Sequence, residues 1–470
     1  MDQLTVPLVA SLGTRDTTLA KDGLMKNCFM EKTGQEVYAK KRPGLQLLTS
    51  FTGPNALCQG SFAIAGVLYG IWNEKVYNTV TGVSYTIPVV TTGSWPDLLG
   101  EQYSILQNTQ QAYVVMQNRG ALYKFDGATF TRVVPQSTGV TAGDTMTPGI
   151  VELDSTYYVL TVSGTLYGSA LGDPTTWPAL NYNLPTVQLG QGMAINRHLS
   201  YIQCMYSRGT ILFYDAGNYP GLPALPVQNG ISQIGCAAGR TVVEVEDTTV
   251  FMSYSPQSGR GIYSMTGLGM QKISTAQIDR LIENPALNLS TFCFGLQSSG
   301  HKFYVLTLTY LQLTLVYDLT TQEWAQWTQV FGGVELPFGG TAPAQIGSQQ
   351  FLFDANNGEI YQLVSTAYQD RGEQILMMVR TPRYDWGTYH RKFLGATMLK
   401  ADTIADTLTI QWSDDDYQTW SGAQTVDLSK DRKQVLRCGS TVGRSWRITY
   451  GGNNPLRLFS LLPEVTSVET

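Results

Sequence analysis

A pattern of hydrophobic and polar positions recurs seven times along the chain. Each copy has an apolar strand, a tight turn, and a second strand that carries a tyrosine. One copy runs from Tyr157 to Tyr167, with its turn at Ser163 and Gly164. The aromatic markers are Tyr77, Tyr123, Tyr167, Tyr214, Tyr263, Tyr317 and Tyr361. Successive markers are separated by 44 to 54 residues, so the spacing is nearly regular.

A period of about 40 to 50 residues made of short strands predicts the blades of a β-propeller. A single four-stranded blade cannot bury both faces, so blades stack around an axis. An unrelated series of hairpins in a sandwich is the alternative, and the regular spacing favours the propeller. We expect six or seven blades within residues 41–380. A strand within residues 42–65 is expected to complete one blade.

The pattern changes after about residue 380, where short strands alternate apolar and polar positions. Examples are Thr407–Trp412 and Ser445–Tyr450. Their spacing predicts a small β-sandwich over residues 381–470. Residues 1–40 are expected to form an N-terminal arm. The predicted fold class is therefore all-β, a propeller with a small C-terminal β-sandwich.

The charge balance argues against a protein that grips nucleic acid. Charged residues make up 14% of the chain and the net charge is −5, whereas soluble domains average about 25% charged residues. DNA-binding proteins neutralise phosphates with clustered Lys and Arg. We therefore expect no DNA-binding surface of the usual kind, although an acidic protein can still surround DNA.

The six cysteines lie at positions 28, 58, 204, 236, 293 and 438, and their spacing contains no CxxC unit. This favours reduced cysteines in the core over a metal or redox site. The sequence Met1–Leu4 lacks the basic start and apolar run of a signal peptide. No stretch is long enough for a membrane helix. We expect a protein without a membrane anchor, folded in a reducing cytoplasm.

The segment Ser413–Trp420 contains three consecutive carboxylates, which are a candidate calcium site because hard cations prefer oxygen ligands. The segment is also similar to the Asp-box of sialidase-like propellers, Ser-x-Asp-x-Gly-x-Thr-Trp. The matching positions are Ser413, Asp415, Thr419 and Trp420, and Tyr417 replaces the glycine. The resemblance implies a structural hairpin in which the aspartate binds turn amides and the tryptophan packs beneath. We favour this structural interpretation, and no metal or cofactor is predicted.

The chain offers little for catalysis. Its three histidines, His198, His301 and His390, are isolated in sequence. A catalytic triad needs a histidine base, and no GxSxG elbow is present. A glycosidase would need two carboxylates across a pocket, which a sequence alone does not reveal. We predict no catalytic residues and no enzymatic activity.

Two charged segments have open interpretations. The basic run Lys40–Gly44 is either a contact for DNA or an acidic partner, or a solvated loop before the first strand. Glu244, Glu246 and Asp247 alternate with valines, which predicts a strand with one acidic face. An acidic face would repel phosphates if it lined a pore.

Several short segments resemble the packaged-DNA stabilisation proteins of short-tailed bacteriophages, also called tail nozzle or tail hub proteins. The segments occur in the same order and cover nearly the whole chain. They are Lys26–Glu31, Lys41–Leu45, Gly230–Ala238, Gly259–Tyr263, Gln271–Thr275, Trp412–Asp414 and Thr419–Ser421.

This resemblance implies a virion structural protein built on a propeller and assembled in the host cytoplasm. It implies a homohexameric ring below the portal and adaptor rings. The ring would extend the DNA channel, retain the packaged genome, and conduct it during ejection without specific binding. Further expected partners are tail fibre or tail needle proteins. The alternatives are a tail-associated propeller that binds or hydrolyses glycans, and a kelch-like interaction module.

Overall fold

The structure of the protein is a computed structural model. The structure describes residues 2–3, 5–9, 12–13, 15, 18–50, 57–92, 97–108, 112–135, 145–185, 189–217, 221–255, 259–283, 291–355 and 357–467. The described chain is almost entirely β, and its strands form seven consecutive antiparallel blades followed by a two-sheet sandwich. The predicted fold class is confirmed, and the blade number is seven.

Blades 1 to 4 are each a simple four-stranded meander, numbered here in chain order. The strands of blades 1 and 2 are Gly60–Ile64, Val67–Trp72, Lys75–Asn78, Ser84–Thr86, Ser104–Gln107, Val114–Gln117, Leu122–Phe125 and Phe130–Val133. Those of blades 3 and 4 are Val151–Leu153, Thr156–Leu160, Leu166–Gly168, Tyr182–Asn183, Gly192–His198, Tyr201–Tyr206, Thr210–Asp215 and Ala224–Ser232.

Blades 5 to 7 depart from the simple meander. In blade 5 the first strand is split, and in blade 6 an extra hairpin strand follows the fourth. The strands of blade 5 are Gly235–Cys236, Val243–Val245, Thr248–Ser255, Gly259–Thr266 and Gly269–Lys272. Those of blade 6 are Thr291–Ser298, His301–Leu308, Leu313–Asp318, Glu323–Phe331 and Val334–Pro337. Blade 7 contains Gly340–Ile346, Gln349–Asp354 and Glu359–Val364.

The fourth strand of blade 7 comes from the beginning of the propeller. Gly44–Ser50 pairs antiparallel with Glu359–Val364, and Leu47 lies opposite Tyr361. The first strand of blade 7 also contacts the first strand of blade 1. The expected strand within residues 42–65 is therefore present, and it joins the two ends of the propeller.

All seven marker tyrosines lie on the third strand of their blade. Their environments differ, because Tyr123 and Tyr361 are fully buried whereas Tyr214 is 40% exposed. The repeat therefore predicted the strand correctly, while burial depends on what each neighbouring blade supplies.

The sandwich takes strands from both ends of the chain. One sheet contains Cys28–Thr33, Glu36–Lys41, Arg457–Ser467, Lys392–Ala401 and Gln434–Val435, joined by Asp2–Gln3, Val6–Pro7 and Gly439–Thr441. The other contains Leu24–Lys26, Met377–Arg380, Ser445–Tyr450, Thr407–Ser413 and Gln424–Asp427. The strands within residues 1–40, a segment expected as an arm, are thus paired into the sandwich. Their apolar side chains, such as those of Met25 and Cys28, are buried in the same core as Trp446.

Strand Leu24–Lys26 connects the sandwich to the propeller. It pairs parallel with the fourth strand of blade 6, with Lys26 opposite Gln326, and antiparallel with Met377–Arg380. One hydrogen-bonded sheet therefore continues from blade 6 into the sandwich. A hairpin of Gln369–Asp370 and Glu373–Gln374 lies beside this junction.

Helical structure is confined to short segments in the described chain. The α-helix Ala276–Ile282 begins after Thr275, whose side chain accepts a hydrogen bond from the Ile278 amide at 3.4 Å. Two 3₁₀ turns occupy Gly239–Thr241 and Thr309–Leu311. Across the described ranges, these helices are all too short to span a bilayer.

Candidate functional site

The Asp-box-like segment forms the connection between strands Thr407–Ser413 and Gln424–Asp427. Asp415 accepts hydrogen bonds from the Thr419 amide at 2.9 Å, the Thr419 hydroxyl at 2.5 Å, and the Ser413 hydroxyl at 2.9 Å. The Thr419 side chain, followed by its amide, lowers the pKa of Asp415 to about 2. Trp420 is half-buried, and the Arg447 guanidinium stacks 4.2 Å from its ring centre. Ser413, Asp415 and Thr419 therefore bind one another within the turn, and Trp420 packs against Arg447 of a neighbouring strand.

Tyr417 occupies the position where the Asp-box pattern has glycine. Its backbone has a φ of +68°, a left-handed conformation that normally favours glycine. Its amide donates to the Ser413 hydroxyl at 3.0 Å, and its own hydroxyl donates to the carbonyl of Thr381 at 3.2 Å. The buried ring also lies 5.5 Å from the Arg380 guanidinium. The side chain thus anchors the turn to the sandwich, which explains a bulky residue at this position.

The three carboxylates of Asp414–Asp416 point to different partners. Asp414 forms a two-pronged ion pair with Arg444, both bonds being 2.7 Å. Asp416 binds Arg15 at 2.8 Å, and Asp415 is committed to its own turn. Across the described residues, no group of three or more histidine, cysteine or carboxylate side chains could hold a metal ion. Each of the three carboxylates thus has a partner of its own, and the structural interpretation of this segment stays a prediction.

The structure contradicts both interpretations of the basic run Lys40–Gly44. Lys41 and Arg42 are fully buried, so neither forms a solvated loop or an exposed contact for DNA. They are buried because the chain passes here from the sandwich into blade 7, between two packed units. Lys40 remains near the surface, where it pairs with Glu31 at 2.8 Å.

Arg42 lies at the centre of this junction. Its guanidinium forms an ion pair with the buried carboxylate of Asp370. It also donates to the side chain of Asn27 at 3.0 Å and the carbonyl of Thr328 at 2.8 Å. Asp370 in turn accepts from the backbone amide of Leu45 at 3.0 Å. One arginine therefore connects the sandwich, blade 6 and the strand that completes blade 7.

The acidic segment is only partly a strand. Val243–Val245 forms the inner strand with Val245 buried and Glu244 half-buried, and burial raises the pKa of Glu244. Glu246 and Asp247 lie exposed in the following turn, where Glu246 pairs with Lys302. The predicted acidic face is therefore not a continuous strand face. Its two exposed carboxylates, Glu246 and Asp247, lie in a turn on the propeller surface.

The histidines lie far from one another in the sequence and have separate surroundings. His198 is buried between the Thr249 hydroxyl at 3.0 Å and the Gly267 carbonyl at 2.7 Å. His301 is buried against Asp318 at 2.7 Å, and His390 is exposed. All six cysteines are free and five of them are buried. Burial raises the pKa of the Cys58 thiol to about 12, which opposes nucleophilic reactivity.

Two cavities lie where the chain enters the first strands of several blades near the propeller axis, and Gln102 and Arg240 line both of them. One of about 760 Å³ is lined by blades 5, 6 and 7 and by the residues that lead into blades 1 and 2. The other, of about 280 Å³, is lined by blades 2 to 6. Arg240 and Glu101 form an ion pair that borders the larger cavity. Both volumes are in the range of small-molecule pockets, so neither cavity, as the described residues line it, has room for a DNA duplex.

Comparisons with solved structures show likeness at low sequence identity. The N-terminal domain of Nup159 is 11% identical, with 73% of this chain and 98% of that chain covered and a TM-score of 0.40. An extracellular domain of a putative hybrid two component system from B. thetaiotaomicron is 8% identical, with 84% and 47% covered and a TM-score of 0.42. A galactose-bound exo-beta-1,3-galactanase from Phanerochaete chrysosporium is 12% identical, with 80% and 100% covered and a TM-score of 0.29. A search of curated proteins gives no match.

A protein-family model gives the informative comparison. It is described as the phage stabilisation family "Bacteriophage P22 Gp10, beta-propeller", and it matches residues 25–368. That range begins in the strand that joins the sandwich to blade 6 and extends past the end of blade 7. The matched range is most of the chain, and it includes both termini of the propeller. The chain therefore belongs to this phage stabilisation family of β-propeller proteins.

Proposed function

We propose that the chain is a structural subunit of the tail nozzle of a short-tailed phage. The family match over residues 25–368 is the observation that carries this proposal, because it indicates a phage structural protein located in the virion. The finer role is a closed ring, most simply a hexamer, that docks on the adaptor ring. This ring extends the DNA channel, retains the packaged genome, and conducts it during ejection.

The small size of the two axial cavities supports a DNA channel that is formed between copies of the chain and not within one copy. The axial cavities have the size of small-molecule sites, and the Arg240–Glu101 pair borders the larger one. Heterologous contacts between identical subunits close into rings when the rotation per subunit fits. A duplex then passes through the centre of the ring, along surfaces contributed by every copy.

The burial of basic side chains supports passage of DNA without tight binding. The chain carries a net charge of −5, and the sharpest basic run contributes Lys41 and Arg42 to the interior. Each phosphate neutralised by a protein adds affinity through counterion release, which would slow a moving duplex. A net negative charge, without an exposed basic run at Lys41 and Arg42, therefore suits a conduit.

The glycan-hydrolysing alternative is not favoured by the described residues. A glycosidase needs two carboxylates that flank a bond in an open site. Asp414 is held by Arg444, Asp415 by its own turn, and Asp318 by His301. These carboxylates serve the fold, and we propose no enzymatic activity.

A phage that lacks the gene tests this function. We expect particles that package DNA and then release it, measured as DNA that becomes sensitive to nuclease. Wild-type protein supplied from a plasmid should restore retention, and the purified chain should form rings with the adaptor by mass photometry and electron microscopy. Null particles that keep their DNA and infect normally, or a monomer that cleaves glycans, would contradict the proposal.

A further inference from the structure

The larger axial cavity combines a buried amide with an apolar wall. Gln329, on the fourth strand of blade 6, is only 5% exposed and lines the cavity. No hydrogen bond connects its side chain to another residue among those the structure describes. Its amide nitrogen and oxygen are not fully enclosed by protein, so they face the space of the cavity. The side chain is therefore available to a ligand that offers both a donor and an acceptor.

Gly339 makes room for this amide. A Cβ atom built at Gly339 would collide with the side-chain amide of Gln329. The backbone at Gly339 is not left-handed, so alanine is tolerated there apart from this collision. The Gln329 amide can thus occupy this position only because Gly339 has no side chain.

The charges around the cavity are already neutralised within the protein. Arg240 pairs with Glu101, and the carboxylate of Asp354 accepts a hydrogen bond from the Tyr361 hydroxyl at 2.5 Å. Burial lowers the pKa of Arg240, and its guanidinium lies against the Glu101 carboxylate. The lining residues therefore provide no free charge for a phosphate or a carboxylate ligand.

The cavity lining beside this amide is apolar and aromatic. It consists of Phe292, Phe331, Leu336, Pro337 and Phe338. Phe331 is 43% exposed although the Arg371 guanidinium stacks 4.5 Å from its ring centre. A neutral ligand that has both hydroxyl groups and apolar C–H faces fits an apolar wall of this kind next to an amide.

We propose that the larger axial cavity is a binding site for a neutral saccharide. Gln329 donates to and accepts from ligand hydroxyl groups, while Phe331 and its neighbours contact the apolar face of a sugar ring. A charged ligand is disfavoured because it would be desolvated without a partner. A fully apolar ligand is disfavoured because it would leave the Gln329 amide unpaired. The site binds and does not cleave, and it stands independently of the proposed nozzle function.

Saturation-transfer NMR and titration calorimetry on the full chain test this site. The probes are maltotriose, cellotriose and triacetylchitotriose, with a sulfated disaccharide and duplex DNA as charged probes. At least one neutral probe is expected to bind with a Kd of about 1 mM or tighter. Gln329→Leu and Gly339→Ala should each weaken it about tenfold, the loss expected for one hydrogen-bonded amide.

The exposed Gln424 in the sandwich provides the matched control, and Gln424→Leu should leave binding unchanged. Circular dichroism checks that each variant is folded. If Gln329→Leu does not fold, Gly339→Ala alone tests the cavity. The proposal is overturned if no neutral saccharide binds at about 10 mM, a concentration well above the expected Kd. It is also overturned if a charged probe binds more tightly, or if both cavity variants bind like the wild type.

Discussion

Arg42 and Asp370 form a fully buried ion pair at the point where the sandwich meets the propeller. The guanidinium also lies 5.1 Å from the ring centre of Phe338 and 5.7 Å from that of Trp327. Both partners are connected to backbone groups on either side, since Arg42 donates to Thr328 and Asp370 accepts from Leu45. This arrangement fixes the sandwich against blades 6 and 7.

Breaking this pair should destabilise the protein strongly. Arg42→Met leaves the Asp370 carboxylate buried without its partner, and we expect a loss of about 3 to 5 kcal/mol in the free energy of unfolding. Urea denaturation followed by fluorescence measures the loss. Lys430→Met removes a surface pair with Asp427 whose lysine is 70% exposed, and should cost at most about 1 kcal/mol. Equal losses in the two variants would show that the junction is not held by Arg42.

The strand that completes blade 7 offers a matched pair of leucines. Leu45 is 1% exposed and packs in the core of blades 6 and 7, whereas Leu47 on the same strand is 42% exposed. Leu45→Ala should cost about 2 to 5 kcal/mol because it leaves a cavity. Leu47→Ala should change stability by about 0.5 kcal/mol. Similar urea midpoints for the two variants would argue that this strand does not close the propeller.

Lys41 should make stability depend on pH. Burial lowers its pKa to about 8 from an ordinary value of 10.5. Between these values the unfolded state binds more protons, so the lysine adds stability as pH rises, by at most about 1.4 kcal/mol per pH unit. Below pH 8 both states are protonated and its contribution is constant.

The comparison with Lys41→Met isolates this contribution. Unfolding free energies measured at about pH 7.5 and about pH 9.5 should rise more in the wild type than in the variant. Lys430→Met, at an exposed lysine, should follow the wild type at both pH values. Parallel pH profiles for wild type and Lys41→Met would contradict the burial of a titrating amine at this junction.

The Asp-box-like turn should loosen in acid. The pKa of Asp415 is lowered to about 2 from an ordinary 3.8, chiefly by the Thr419 side chain. Its carboxylate therefore supports the turn fully above about pH 4, and the support is lost as pH falls through about 2. Asp415→Asn should speed exchange of the Thr419 amide at neutral pH, as seen by hydrogen exchange.

Asp431→Asn changes an exposed aspartate nearby and should leave that exchange rate unchanged. Addition of calcium or of a chelator should also leave the exchange rate and the thermal midpoint of the wild type unchanged. Protection that depends on calcium would favour the metal-site interpretation of Asp414–Asp416 instead.

The repeat of apolar strand, turn and tyrosine determined the propeller by itself. Strand alternation and turn residues are local properties, so Tyr123 and Tyr361 were placed on equivalent strands without any knowledge of their neighbours. The Asp-box-like hairpin is local too, since Ser413, Asp415 and Thr419 bind one another over a few residues.

Only the tertiary structure decided which charges are buried and where the chain ends pair. Nothing near Lys41 and Arg42 in the sequence marks them as interior, because their partners Gly452 and Asp370 lie more than 300 residues away. The sandwich strand Leu24–Lys26 likewise finds its neighbours at Gln326 and Met378. Desolvation and long-range strand pairing depend on what surrounds a residue in space. A sequence pattern reports only what surrounds it along the chain.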